Sequence, residues 1–75
     1  MTVQEHYFEV LMHRARHDRY PSHQMLDRIE LALATSDQVA EYVDMLIRKV
    51  DETWYPSGQM LDRVQNMLER TAVAR

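Results

Sequence analysis

The stretch YPSHQMLDR at positions 20–28 returns as YPSGQMLDR at positions 55–63. Aligning residues 6–36 with 41–71 gives 31 pairs, of which eleven are identical. An internal period of 20–50 residues marks a chain built from copies of one supersecondary unit. We therefore predict two tandem copies, repeat one at 6–36 and repeat two at 41–71, within a single domain spanning residues 1–75.

Each repeat predicts a helix, a Tyr-Pro-Ser turn and a second helix. Pro21 ends the first helix, because the residue before a proline is disfavoured in the α region. Ser22 and its counterpart Ser57 can each cap the helix that follows. Near the start of the chain, Thr2 and Glu5 have the spacing of a capping box.

Apolar residues recur at helical spacing along one face of each predicted helix, which is typical of amphipathic helices packed on a core. The first two predicted helices are expected to bury Val3, Tyr7, Phe8, Leu11, Ala15, Met25, Leu26, Ile29, Ala32 and Leu33, with Val10 and Met12 at the flanks. The third and fourth are expected to bury Val39, Tyr42, Val43, Leu46, Ile47, Val50, Met60, Leu61, Val64, Met67 and Leu68.

A helical hairpin with one apolar side needs a second hairpin to cover that side. The sequence therefore predicts an all-α fold, a four-helix arrangement of two helix–turn–helix hairpins with pseudo-two-fold symmetry. Between the repeats, Thr35 and Gln38 match a second capping box, which favours a break before the third helix. The alternative is a fused second and third helix, giving a three-helix chain that forms a swapped dimer.

The composition narrows the possible functions. The chain has no cysteine and a net charge of −3, and its longest apolar run is four residues. These properties argue against a disulfide framework, a membrane span and a general nucleic-acid binder. No phosphate loop or dinucleotide fingerprint is present in the sequence. We expect a cytoplasmic protein that is not an enzyme and needs no cofactor.

A polar stripe is preserved in both repeats. The same three polar residue types occur at equivalent positions of the two repeats. In repeat one they are Gln24, Asp27 and Arg28, and in repeat two they are Gln59, Asp62 and Arg63. They are predicted to lie opposite the apolar face, where residues normally diverge after duplication. Negative charge near a helix N-terminus explains the aspartates locally, and a shared partner surface is the other explanation. Leu31 is predicted to be exposed beside this stripe.

The two Tyr-Pro-Ser turns are expected at the same end of the fold. That end would gather Arg19, Tyr20, Trp54 and Tyr55. Tryptophan, tyrosine and arginine are the residue types that dominate binding hot spots. The alternative for the tyrosines is that they cover the end of the core.

All four histidines lie in repeat one, at positions 6, 13, 17 and 23. His13 and His17 have the i, i+4 spacing that can share a metal ion, and Glu9 could add an oxygen ligand. The sequence favours a solvated polar face here and keeps a metal site as an alternative.

The function predicted from these patterns is a small helical interaction or regulatory protein. It would bind a protein partner or itself, with a homodimer as one form. A nucleic-acid-binding regulator is an alternative, in which the arginines of repeat one contact phosphates. These are Arg14, Arg16, Arg19 and Arg28.

Overall fold

The computed structural model describes residues 2–19, 21–52 and 57–73, with side chains described as far as Arg70. Within these ranges the chain forms four α-helices and no strand. They are α1 (Val3–His17), α2 (His23–Ala32), α3 (Ser36–Glu52) and α4 (Gly58–Val73). The all-α prediction is confirmed, while the pseudo-two-fold symmetry and the three-helix alternative stay predictions. None of the helices in the described ranges is long and apolar enough to cross a membrane.

The predicted caps at the helix N-termini are confirmed. The Thr2 hydroxyl oxygen accepts a hydrogen bond from the backbone N–H of Glu5 at 3.1 Å. Ser22 accepts from the Met25 N–H, and Ser57 from the Met60 N–H, each also at 3.1 Å. Each cap pairs one of the backbone donors that a helix start leaves without an intrahelical partner.

The junction between α2 and α3 is held by a reciprocal capping box. The Thr35 hydroxyl oxygen accepts from the Gln38 N–H at 3.1 Å. In return, the Gln38 carboxamide oxygen accepts from the backbone N–H groups of Thr35 at 3.2 Å and Ala34 at 2.8 Å. Because both partners of the box are used, α2 ends at Ala32 and a separate helix starts at Ser36.

Removing this box is expected to weaken the fold. Thr35→Ala should lower the free energy of unfolding by about 0.5–2 kcal/mol, because the Gln38 N–H loses its acceptor. Ser36→Ala, at the neighbouring exposed position, is the control and should change stability by less than about 0.5 kcal/mol. Urea unfolding followed by circular dichroism measures both. Equal losses in the two variants would mean that the box does not stabilise the junction.

The chain divides into two compact units, residues 1–42 and 43–75, so the boundary lies inside α3. In unit 1, α1 packs on α2. Among the described residues of unit 1, the buried core consists of Phe8, Leu11, Met12, Ala15, Leu26, Ile29, Ala32 and Tyr42, and Pro21 is also buried. In unit 2 the buried apolar residues among those described are Val43, Met45, Leu46 and Met67.

Tyr42 is the main polar anchor of unit 1. Its ring is fully buried, and its hydroxyl donates a hydrogen bond to the Glu30 carboxylate at 2.6 Å. The same hydroxyl lies 3.5 Å from the Leu26 carbonyl oxygen. Nearby, Arg16 and Glu41 form an ion pair at 3.5 Å. The start of α3 therefore contacts α2 through Tyr42 and α1 through Glu41.

Several residues predicted in the core are exposed. Val3 is almost fully exposed. The ten residues of α2 span about 15 Å and the fifteen residues of α1 about 22 Å. Helix α2 is therefore too short to cover the whole length of α1. Tyr7 lies to one side of the buried arc of α1, which instead includes Met12, predicted only at its flank. In repeat two the prediction is wrong for three residues: Ile47, Leu61 and Leu68.

Candidate interaction surfaces

Identical residues of the two repeats differ in burial. Leu26 is completely buried, whereas its counterpart Leu61 is 46% exposed. Tyr7 and Tyr42 show the reverse, with 47% exposure for Tyr7 and none for Tyr42. In each pair the same side chain stands at the same position of the repeat, so the difference in exposure comes from packing and not from residue type.

Two further pairs follow the same pattern in the second repeat. Leu68 is 49% exposed, whereas its identical counterpart Leu33 is only partly exposed. Ile47 is about half exposed, whereas Met12 at the equivalent position is fully buried. Repeat two therefore leaves three large apolar side chains exposed at positions that repeat one buries fully or in part. We call Ile47, Leu61 and Leu68 the repeat-two apolar set.

The orientation of α3 accounts for part of this asymmetry. The buried residues of α1 centre between Leu11 and Ala15, whereas those of α3 run from Tyr42 to Leu46. At 3.6 residues per turn, the buried arc of α3 is turned about 70° relative to the equivalent arc of α1. Tyr42, whose hydroxyl donates to Glu30, lies within this buried arc. Ile47 lies outside the arc and is exposed.

Leu61 and Leu68 form a seam along α4 with Val64 between them. The spacing of three and then four residues places all three on one side of the helix, as at the a and d positions of a coiled coil. Val64 is half-buried, and the two leucines flank it. Such a seam is suited to contact with another helix.

The predicted polar stripes are placed differently in the two repeats. In α2, Gln24, Asp27 and Arg28 are all exposed. Leu31 follows Asp27 and Arg28 by one helical turn on the same face and is 86% exposed. In α4, Gln59 and Asp62 are exposed, but Arg63 is half-buried. The stripe predicted to face outward twice therefore does so fully only in α2.

The predicted turn surface is only partly described. Arg19 is exposed. Tyr20, Trp54 and Tyr55 lie outside the described residues, so their grouping at one end of the fold stays a prediction.

The histidine face of α1 is exposed. His13 and His17 lie side by side, with ring centroids 4.4 Å apart and ring planes inclined at 57°. Both line an open surface groove together with His6 and Glu9. Among the residues that the structure describes, no three His, Cys, Asp or Glu side chains converge as metal ligands. Glu9 is therefore not placed as a third ligand beside the histidine pair.

The arginines of repeat one do not form a continuous basic surface. Arg16 is paired with Glu41 at 3.5 Å, and acidic residues are interspersed among the others, such as Asp18 beside Arg19 and Asp27 beside Arg28. Phosphate binding requires basic side chains clustered on one face. This arrangement gives the nucleic-acid alternative no support.

Comparison of the chain with protein-family models, curated proteins and solved structures found no match.

Proposed function

We propose that this chain is a small, non-catalytic interaction protein that self-associates through the repeat-two apolar set. The observation that carries the proposal is the contrast between identical residues: Leu61 is 46% exposed where Leu26 is completely buried. Full burial of a leucine side chain contributes about 1.5–3 kcal/mol to stability, and a half-exposed leucine gains roughly half of that. A second helix laid along Leu61, Val64 and Leu68 would recover that energy.

Charge supports a second copy of the chain as the occupant. Residues 43–75 contain five acidic and five basic side chains, whereas residues 1–42 contain seven acidic and four basic ones. The whole net charge of −3 therefore resides in the first part of the chain. Two copies that meet through residues 43–75 bring together segments whose charges sum to zero, so net charge does not make these segments repel one another.

The seam itself also suits a symmetric contact. Leu61 and Leu68 are seven residues apart. Gln65 lies between them in sequence, directly after Val64. In an isologous dimer the same patch of both subunits meets at the interface, so a charge at its centre would face its own copy. The seam has no charged residue at its centre and avoids this repulsion. Polar side chains at the rim, such as Asp62 and Glu69, remain available to water.

The test is the molar mass in solution. We expect light scattering coupled to size exclusion to give a dimer at high micromolar concentration, and the double variant Leu61→Glu with Leu68→Glu to give a monomer. Leu31→Glu is the matched control, because Leu31 is a more exposed leucine on α2, and it should leave the dimer intact. A wild-type chain that is monomeric at 500 µM, or a dimer lost only in Leu31→Glu, would contradict the proposal.

A heterologous protein partner is the other outcome of this experiment. If the wild type is monomeric, self-association is wrong. The repeat-two apolar set would then be the binding surface for a different protein only if a purified partner binds the wild type and does not bind the double variant. Circular dichroism of both variants checks that the helices persist.

A further inference from the structure

The outward face of α1 carries a histidine pair that the proposed self-association does not use. We infer that His13 and His17 form a two-ligand site for a divalent transition-metal ion such as Zn²⁺ or Ni²⁺. Neutral imidazole is a preferred ligand of both ions. The two residues are one helical turn apart, so the helix itself holds the ligands on the same side.

The distance between the rings suits a chelate. With metal–nitrogen bonds of about 2.0–2.1 Å and bond angles of roughly 90–110°, the centroids of two coordinating imidazoles lie about 4.5–5.2 Å apart. The observed centroid distance is 4.4 Å, and the rings are inclined at 57° instead of stacked face to face. Small side-chain rotations are therefore enough to bring one nitrogen of each ring onto a shared ion.

The surroundings of the pair favour a cation. The groove that contains both histidines is also lined by the carboxylates of Glu9 and Asp18, and by one basic residue, Arg14. The pair lies in the last turns of α1, and the C-terminal end of a helix carries partial negative charge that stabilises a nearby cation. Because two protein ligands are in place, water completes the coordination shell and the ion stays open to solvent.

Bound metal should stabilise α1. The chelate exists only while His13 and His17 are held one turn apart, so the ion binds the folded helix more tightly than the unfolded chain. A ligand that prefers the folded state raises the melting temperature as its concentration rises. Mg²⁺ should have no such effect, because it prefers oxygen ligands.

The experiment is calorimetric titration of the tag-free full chain with ZnCl₂ at pH 7.5, repeated with NiCl₂ and MgCl₂. We expect saturable binding of one Zn²⁺ or Ni²⁺ per chain and none of Mg²⁺. His13→Ala and His17→Ala should each abolish it. His23→Ala, an exposed histidine at the start of α2, is the matched control and should retain it.

Two results of the titration would overturn the inference. The first is no saturable binding of either ion at 1 mM. The second is binding that survives both His13→Ala and His17→Ala. Chemical-shift changes in NMR spectra localise the ion independently: the His13 and His17 imidazole signals should respond to Zn²⁺, and a response confined to other side chains would contradict the assignment.

Discussion

Leu26→Ala is expected to lower the free energy of unfolding by about 2–5 kcal/mol, the usual effect of removing a fully buried leucine. Leu26 is completely buried in unit 1. A chain of this size is only marginally stable, so this loss is expected to unfold a large share of the molecules. Urea unfolding followed by circular dichroism measures the change.

Leu61→Ala is the matched control for this prediction. The same side chain occupies the same position of the repeat, yet it is 46% exposed. Its removal should cost about 1 kcal/mol, since only part of its surface is withdrawn from water. Measurements in the low micromolar range keep a dimer from adding to the burial of Leu61. Equal losses at the two positions would contradict the asymmetry between the repeats.

Tyr42→Ala is expected to have an effect of similar size, about 3–5 kcal/mol, as for the removal of other buried aromatic rings. The ring is fully buried, and its hydroxyl donates to Glu30 at 2.6 Å. Tyr42→Phe separates these two contributions. It should cost about 1.5 kcal/mol, because the hydrogen bond to a carboxylate is lost while most of the packing remains.

Tyr7 is the control for both changes, since it is the repeat-one counterpart of Tyr42 and is 47% exposed. Tyr7→Phe should be close to neutral, and Tyr7→Ala should cost much less than Tyr42→Ala. Thermal or urea unfolding monitored at 222 nm compares the four variants. If Tyr42→Phe is as neutral as Tyr7→Phe, the Glu30 bond does not stabilise unit 1.

The features that were predictable from the sequence are local ones. The caps by Thr2, Ser22 and Ser57 depend on backbone groups three residues away, so the sequence spacing determines them. The same is true of the box between Thr35 and Gln38, which ends one helix and starts the next. Four helices and their approximate limits follow from these signals together with the apolar periodicity.

Burial in the second repeat was not predictable, because it depends on non-local contacts. Leu26 and Leu61 lie in the same sequence context, and no local signal separates them. The buried arc of α3 is turned toward Tyr42, whose hydroxyl donates to Glu30, twelve residues away in sequence. The sequence therefore predicts the repeat-two apolar set in the core. The histidine pair, in contrast, follows from its spacing, since i, i+4 neighbours on a helix are local.

The boundary between the two compact units does not coincide with the boundary between the two repeats. Glu41 and Tyr42 begin repeat two, yet both belong to unit 1, where they contact Arg16 and Glu30. The two halves are therefore no longer interchangeable modules, and a fragment cut between the copies would lose Tyr42, the anchor of its own core.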